Sequence, residues 1–186
     1  IKAREIIKED GGVKSFIFDF TELGNQVEAL NISPSIKKFW LLANSSHVID
    51  LAFHLCGEPE MIRSFVQGGN TWHPSGSIFS GSGITESGAV FSYHANWESA
   101  GRWGLEIITP KRRIILKPLE QLQQMMKDSF KTSFVDIDES MNTNYKPGLY
   151  RQVKAFISLN GIEHLCSIEE HQKNIATYSK ISGYSK

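Results

Sequence analysis

An α+β fold is what these 186 residues predict: a largely antiparallel, open β-sheet with helices packed on one face and a long helix at its centre. Three observations predict it. The stretch Ser35 to Gly57 carries the longest helical periodicity in the chain and stops on a glycine. Segments 13–21 and 89–97 alternate in side-chain character with the period of a half-buried strand, and short turns lead from the second into further strands at 102–109 and 113–117. Strands cluster between helices, and nothing cycles as repeated βαβ units.

In chain order, residues 1–10 read as the end of a helix, stopped by Gly11-Gly12. Across 13–21, Phe16, Phe18 and Phe20 point to one side, giving a strand with an aromatic core face. A short helix is expected over Gln26 to Leu30. Ser33 then caps the central helix, with Pro34 at its first position. Beyond Glu58-Pro59 a strand is expected at Met61 to Gln67. Residues 68–88 are rich in Gly and Ser and read as a long loop with one strand near Ser77 to Ser80. Strands 89–97, 102–109 and 113–117 are separated by short turns and predict an antiparallel meander. Pro118 to Met126 reads as a short helix, because Leu119, Leu122 and Met126 recur at helical spacing. Phe134 to Ile137 reads as a strand and Gly148 to Leu159 as a helix. Ser167 to Glu170 forms a capping-box pattern that opens a last helix running to about Tyr178.

One domain is expected over 1–186, large enough to bury its own core. Lys+Arg and Asp+Glu each number 20, and this neutral balance excludes the basic excess of a nucleic-acid binder. No apolar run reaches the roughly 20 residues that span a bilayer, so no membrane partner is expected. The chain begins with Ile1 and no leader pattern follows, so it reads as a piece of a longer polypeptide. Cys56 and Cys166 are far apart without CxxC spacing and read as buried free thiols in a reducing, cytoplasmic setting. Asn31-Ile32-Ser33 and Asn44-Ser45-Ser46 match the glycosylation pattern, but one abuts a proline and the other lies mid-helix; both read as chance matches.

At about 100° per residue, Trp40, Asn44, His47, Leu51 and His54 share one side of the central helix. Phe39, Leu42, Ser46, Ile49 and Phe53 share another, which reads as core. Asn44, Ser45 and Ser46 are costly in so apolar a helix unless a network or a ligand satisfies them. A core histidine is commonly satisfied by a serine or the backbone. Against that, Asn44 and Trp40 give His47 a hydrogen-bonding edge and an apolar ring face, a setting for a sugar-like ligand. Trp97, Arg102 and Trp103 flank one hairpin turn; such aromatics commonly pack and Arg102 can bridge acidic neighbours, while the binding alternative stays open because Arg suits a carboxylate or phosphate. Lys146 and Tyr150 precede a helix and either line a cleft or serve capping and packing. Trp72-His73-Pro74 reads as a surface loop and Arg112-Arg113 as part of a solvated hairpin. His47, Asp50 and His54 miss the zinc spacing, so no metal site is expected. Gly81-Ser82-Gly83 lacks a third glycine, since Glu86 stands there, and no phosphate-loop lysine follows Gly76 to Gly81; no cofactor-binding residues are assigned.

The runs NSSHVIDLAFHLCGEP, NWESAGRWGLEIIT, KRRIILKPLEQLQ and YKPGLYRQV resemble the C-terminal domain of the Gfo/Idh/MocA oxidoreductases, the relatives of glucose–fructose oxidoreductase and inositol dehydrogenase. The resemblance covers most of the chain and is strongest over 44–59. It implies a preceding Rossmann domain that holds NAD or NADP and supplies a lysine from a Glu-Lys-Pro motif. Neither that motif nor the glycine fingerprint occurs here. The family histidine maps onto His47 as the catalytic group, with Asp50 as the later acid of its motif. The leading acid falls at Ala43, a departure that Asn44 compensates only as a neutral polar group. Asn44, Trp40, Trp97, Arg102, Lys146 and Tyr150 are the corresponding substrate-binding candidates.

The resemblance implies the substrate-binding and oligomerisation half of an NAD(P)-dependent oxidoreductase acting on a sugar, polyol or sugar-nucleotide. Its sheet face would meet another copy in a homo-oligomer, and this piece alone would be inactive. The alternative is a non-catalytic binding or interaction module that keeps the fold; Ala43 favours it. A carbohydrate-binding β-domain is disfavoured by the long central helix.

Overall fold

The computed structural model describes residues 1–138, 140–162 and 165–184. The chain runs through α1 (Lys2–Glu9), β1 (Ser15–Asp19), α2 (Gly24–Ala29), α3 (Pro34–Lys38), a π-helical turn (Leu41–Ser45) and α4 (Ser46–Cys56). There follow β2 (Pro59–Gln67), β3 (Ile78–Thr85), β4 (Val90–Asn96), β5 (Gly104–Ile108), β6 (Arg112–Leu116), β7 (Leu122–Met126) and β8 (Thr132–Phe134). Helices α5 (Ser140–Asn144), α6 (Leu149–Ser158) and α7 (Ile168–Ser182) close the order. The strands form one eight-stranded sheet, β2-β3-β4-β1-β5-β6-β7-β8. The predicted α+β class, with a mostly antiparallel sheet, is the observed one.

The meander is interrupted. β4 and β5 are not neighbours, because β1 lies between them, parallel to β4 and antiparallel to β5. Its inward aromatics explain the placement. Phe16 stacks on Phe91 at 5.1 Å and Phe18 on Tyr93 at 5.3 Å, while Phe53 of α4 meets Phe16 and Phe18 edge-on at 5.9 and 5.7 Å. Each such pair adds about 0.5–1.5 kcal/mol beyond the area it buries. A strand with so apolar an inner row gains most at the sheet centre, beneath the central helix.

That helix is broken. Ser33 caps α3 as expected, but the helical run lapses at Phe39 and resumes through the π-helical turn into α4. The wide turn changes the phase of the faces. Phe39, expected in the core, is 45% exposed, while Leu41, Ser45, Val48, Ile49, Ala52, Phe53 and Cys56 are buried. The side bearing Trp40, Asn44, His47, Leu51 and His54 is the more open one.

Other expectations change where strand pairing overrides local pattern. The supposed loop 68–88 contains the full length of β3, with Gly81 and Gly83 inside it. A Cβ at Gly83 would stand 2.6 Å from the Phe91 ring, so glycine there makes room for the aromatic core. Residues 122–126 pair with β6 as β7 and are not helical. Trp72-His73-Pro74 is no surface decoration, since His73 is fully buried. The His73 ring N–H at Nδ1 donates to the Gly76 carbonyl at 2.6 Å, leaving Nε2 to accept from the Tyr184 hydroxyl at 2.6 Å. Of the two free cysteines, Cys56 is buried but Cys166 is exposed.

The Arg112-Arg113 pair divides its roles. Arg113 is exposed and 3.1 Å from Glu106. Arg112 instead reaches the buried Asp10 at the end of α1. Nη2 donates to Oδ1 at 2.9 Å, Nε lies 2.9 Å from Oδ2 without the alignment to donate, and Thr109 Oγ1 donates to Oδ2 at 2.8 Å. Removing one member of a buried pair strands the other charge. Asp10→Ala is therefore expected to lower unfolding stability by about 3 kcal/mol or more, whereas Arg113→Ala costs under about 1 kcal/mol. Urea denaturation of both variants measures the difference, and equal small losses would contradict the Arg112 assignment.

Candidate functional site

The open side of the central helix lies against the end of the sheet where β1 finishes and β5 begins. Asp19 of β1 pairs with Gly104 of β5, so the residues just beyond them, Thr21-Glu22 and Arg102-Trp103, meet at one corner. Backbone locks hold that corner. The Asn96 N–H donates to Thr21 Oγ1 at 3.1 Å, and the Trp97 indole donates to the Phe20 carbonyl at 3.2 Å. Between them opens a hollow of about 310 Å3, bordered by Glu22, Leu23, Gln26, Arg102, Trp103 and Leu119 among others.

Glu22 answers the question raised by the polar triplet of the central helix. Asn44 Nδ2 donates to Glu22 Oε1 at 3.0 Å, and Ser45 Oγ donates to the same oxygen at 2.6 Å. Ser46 Oγ donates back to the Leu42 carbonyl at 2.8 Å. An internal network therefore satisfies all three polar residues. The indole N–H groups of Trp103 and Trp40 also face the Glu22 carboxylate and favour its charged form. That of Trp40 is buried and reaches no partner at full hydrogen-bonding geometry. Burial outweighs these donors and holds the Glu22 carboxyl above the usual carboxylate range.

His47 is exposed on α4, its ring 6.5 Å from that of Trp103 and tilted by 53°. It is not sealed in the core, and it stands next to the wall of the hollow without lining it. Arg102 is exposed at the rim. Asn44 and Trp40 are gathered here through Glu22. Other expected contacts fall elsewhere. Trp97 is buried, stacked on Trp72 at 5.7 Å and packed on His73 and Phe79 at 4.8 Å each, so its ring offers no face to a ligand. Lys146 and Tyr150 lie around the start of α6, with Tyr150 stacked on Tyr145 at 4.8 Å, and border none of the described hollows. Asp50 is committed to α7: its Oδ1 accepts from Asn174 Nδ2 at 2.7 Å and from the Tyr178 hydroxyl at 3.1 Å. It acts as a clasp between helices.

A second, more aliphatic hollow of about 360 Å3 lies between α1, α4 and the β6–β7 connection, sharing Leu119 and Glu120 with the first. Lys2, Arg4 and His54 add polar groups to its wall, and Arg4 and His54 are hydrogen-bonded to each other. Among the described residues, no group of three or more His, Cys, Asp and Glu is placed to hold a metal ion, and no helix is long and apolar enough to cross a membrane.

Sequence reasoning missed Glu22. Its partners lie 22 and 23 residues away, beyond any local motif. The available signal was the unsatisfied Asn44-Ser45 pair, which calls for an acceptor somewhere in the fold.

No family model and no curated protein matches the chain. Solved structures match it in fold. UDP-N-acetylglucosamine 3-dehydrogenase of Acidithiobacillus ferrooxidans matches at a TM-score of 0.67 and 14% identity, over 99% of this chain and 59% of that one. An NAD-binding oxidoreductase of Klebsiella pneumoniae matches at 0.66 and 16%, over 98% of this chain and 59% of that one. Levoglucosan dehydrogenase, complexed with NADH and levoglucosan, matches at 0.56 and 19%, over 72% of this chain and 43% of that one. The chain thus spans about half the length of the solved structures it matches, and at these identities the likeness is one of fold.

The raised Glu22 pKa has a consequence for stability. The folded carboxyl binds its proton more tightly than the unfolded one, so its contribution is fullest below the ordinary carboxylate pKa and is lost as pH rises through the raised value. Glu22→Gln keeps an acceptor oxygen for Asn44 and Ser45 but removes the titration. From about pH 4 to about pH 7, denaturant midpoints are expected to fall less, or rise more, in Glu22→Gln than in the wild type. Parallel profiles would show that Glu22 titrates normally.

Proposed function

We propose that the chain is the substrate-binding and oligomerisation half of an NAD(P)-dependent oxidoreductase acting on a sugar, polyol or sugar-nucleotide. One observation carries the reading: an exposed histidine on the central helix, beside a tryptophan-walled hollow, on a fold that fills about half of each dehydrogenase it matches. The names of those neighbours support the substrate class, since one is complexed with levoglucosan and another acts on a sugar-nucleotide.

In this reading His47 takes the proton from a substrate hydroxyl as its carbon becomes a carbonyl, while the hydride leaving that carbon is what a nicotinamide held by the rest of the parent polypeptide would accept; the reverse direction returns both. Imidazole suits the step because its ordinary pKa lies near neutrality. Exposure leaves the ring free to meet both a substrate and a covering domain. Gly81 and Gly83 lie within β3, where aromatic rings occupy the space above them, so these two form no phosphate-cradling loop. NAD or NADP belongs, in this reading, to the remainder of the parent polypeptide. The runner-up is a non-catalytic module with the same fold. Two observations favour it: Ala43 carries no acid, and Asp50 is held by Asn174 and Tyr178.

The assembly part of the proposal rests on the sheet face away from the helices. Register places Ile17, Val90, Ile84, Met61 and Phe65 on that face, and Phe65 is 71% exposed. An apolar surface of this kind marks an interaction site.

Two outcomes test the proposal in the parent polypeptide. His47→Ala should lower nicotinamide-linked turnover of a responsive sugar by about 100-fold or more while moving the thermal midpoint little; equal losses in both would make His47 structural. Phe65→Asp should lower the assembly mass measured by sedimentation, and a monomeric wild type would remove the oligomerisation part.

A further inference from the structure

The hollow beside Trp103 contains a carboxyl group to which the proposed proton transfer gives no role. We propose that Glu22 is a ligand-binding residue, whose carboxyl takes the hydroxyl groups of a sugar or polyol lying with its C–H face against Trp103. The inference deepens the reading above and rests on its substrate class.

The geometry supplies three parts. Asn44 and Ser45 both donate to Oε1, which fixes the rotation of the carboxyl. Neither Asn44 nor Ser45 uses Oε2, and even with the Trp103 and Trp40 indoles facing the carboxylate its two oxygens have more acceptor sites than these donors fill, on a group that borders the hollow. Trp103 provides a large aromatic surface at the same wall, and its indole N–H faces the same carboxylate. An acceptor beside an aromatic face is the pairing that a polyhydroxylated ring requires, because its hydroxyls lie at the rim and its C–H bonds on the faces.

The surrounding charges define the ligand further. Glu22, Glu120 and Arg102 border the hollow, so both signs are present and no single-sign field draws a highly charged ligand. A neutral ring with several hydroxyls fits this balance. Arg102 can meet a polar substituent at the rim, as Arg does with carboxylate or phosphate oxygens. Energetically, a carboxyl buried beside two tryptophans costs more in desolvation than its donors return, a poor choice for stability alone. A glutamine would satisfy Asn44 and Ser45 through its carbonyl oxygen without burying a charge.

The test measures binding, not turnover, and uses the whole chain. Levoglucosan, L-sorbose, D-glucose and myo-inositol are titrated near neutral pH, read by saturation-transfer NMR and tryptophan fluorescence, with wild type, Glu22→Gln and Trp103→Phe. At least one ligand is expected to bind saturably to the wild type, with affinity lowered about tenfold or more by Glu22→Gln while the circular dichroism spectrum is unchanged. Trp103→Phe should reduce the saturation transferred to the ring protons. Equal affinity in wild type and Glu22→Gln overturns the assignment, as does the absence of saturable binding by all four ligands. Nicotinamide turnover in the parent polypeptide separates this inference from the broader one. Turnover that Glu22→Gln leaves intact removes Glu22 alone, whereas Glu22-dependent binding without any turnover removes the oxidoreductase reading and keeps the site.

Discussion

The aromatic layer between β1, β4 and α4 fixes everything that follows. Phe53 stands edge-on over Phe16, Phe18 and Phe91, so α4 can neither rotate nor slide without breaking several ring contacts together. Interiors packed at this density have few alternative arrangements. The orientation of α4 in turn decides which of its residues face outward. His47 is exposed because Val48, Ile49, Ala52 and Phe53 are held inward. The placement of one candidate functional group is therefore a consequence of packing on the opposite side of its helix.

The sequence disclosed the parts of the fold that depend on local period. The aromatic row of β1, the alternation in β4, and the capping box of α7 were all readable, and that box forms as expected, with Ser167 Oγ accepting from the Glu170 N–H at 3.1 Å. What escaped was decided between distant segments. Leu119, Leu122 and Met126 have helical spacing, yet Leu122 pairs opposite Leu116 and the segment becomes a strand. The insertion of β1 between β4 and β5 leaves no trace in the short turns of either. The break at Phe39 was likewise hidden, because α3, the π-helical turn and α4 together continue one apolar run.

Site residues divided along the same line. His47 and Asn44 were legible as candidates because an imidazole and an amide stand out on an apolar helix. Trp97 was misplaced, since nothing local distinguishes a tryptophan that packs from one that binds; only the flanking Trp72, His73 and Phe79 rings decide it. Glu22 had no local signal at all. Its meaning lies in the two donors and two indoles that the fold brings to it.

The π-helical turn connects these observations. A regular helix from Ser35 onward would carry Phe39, Leu42 and Ser46 into the core on one continuous stripe. The wide turn instead buries Leu41 and Ser45 and leaves Asn44 half-buried, close enough to bond Glu22. Without the shift, Asn44 and Ser45 would not converge on one carboxylate oxygen, and that carboxyl would lack the donors that make its burial tolerable. Local irregularity of this sort weakens a helix on its own account. Here that cost is offset by the bonds the turn makes possible, where a buried acid, two indoles and an exposed histidine adjoin.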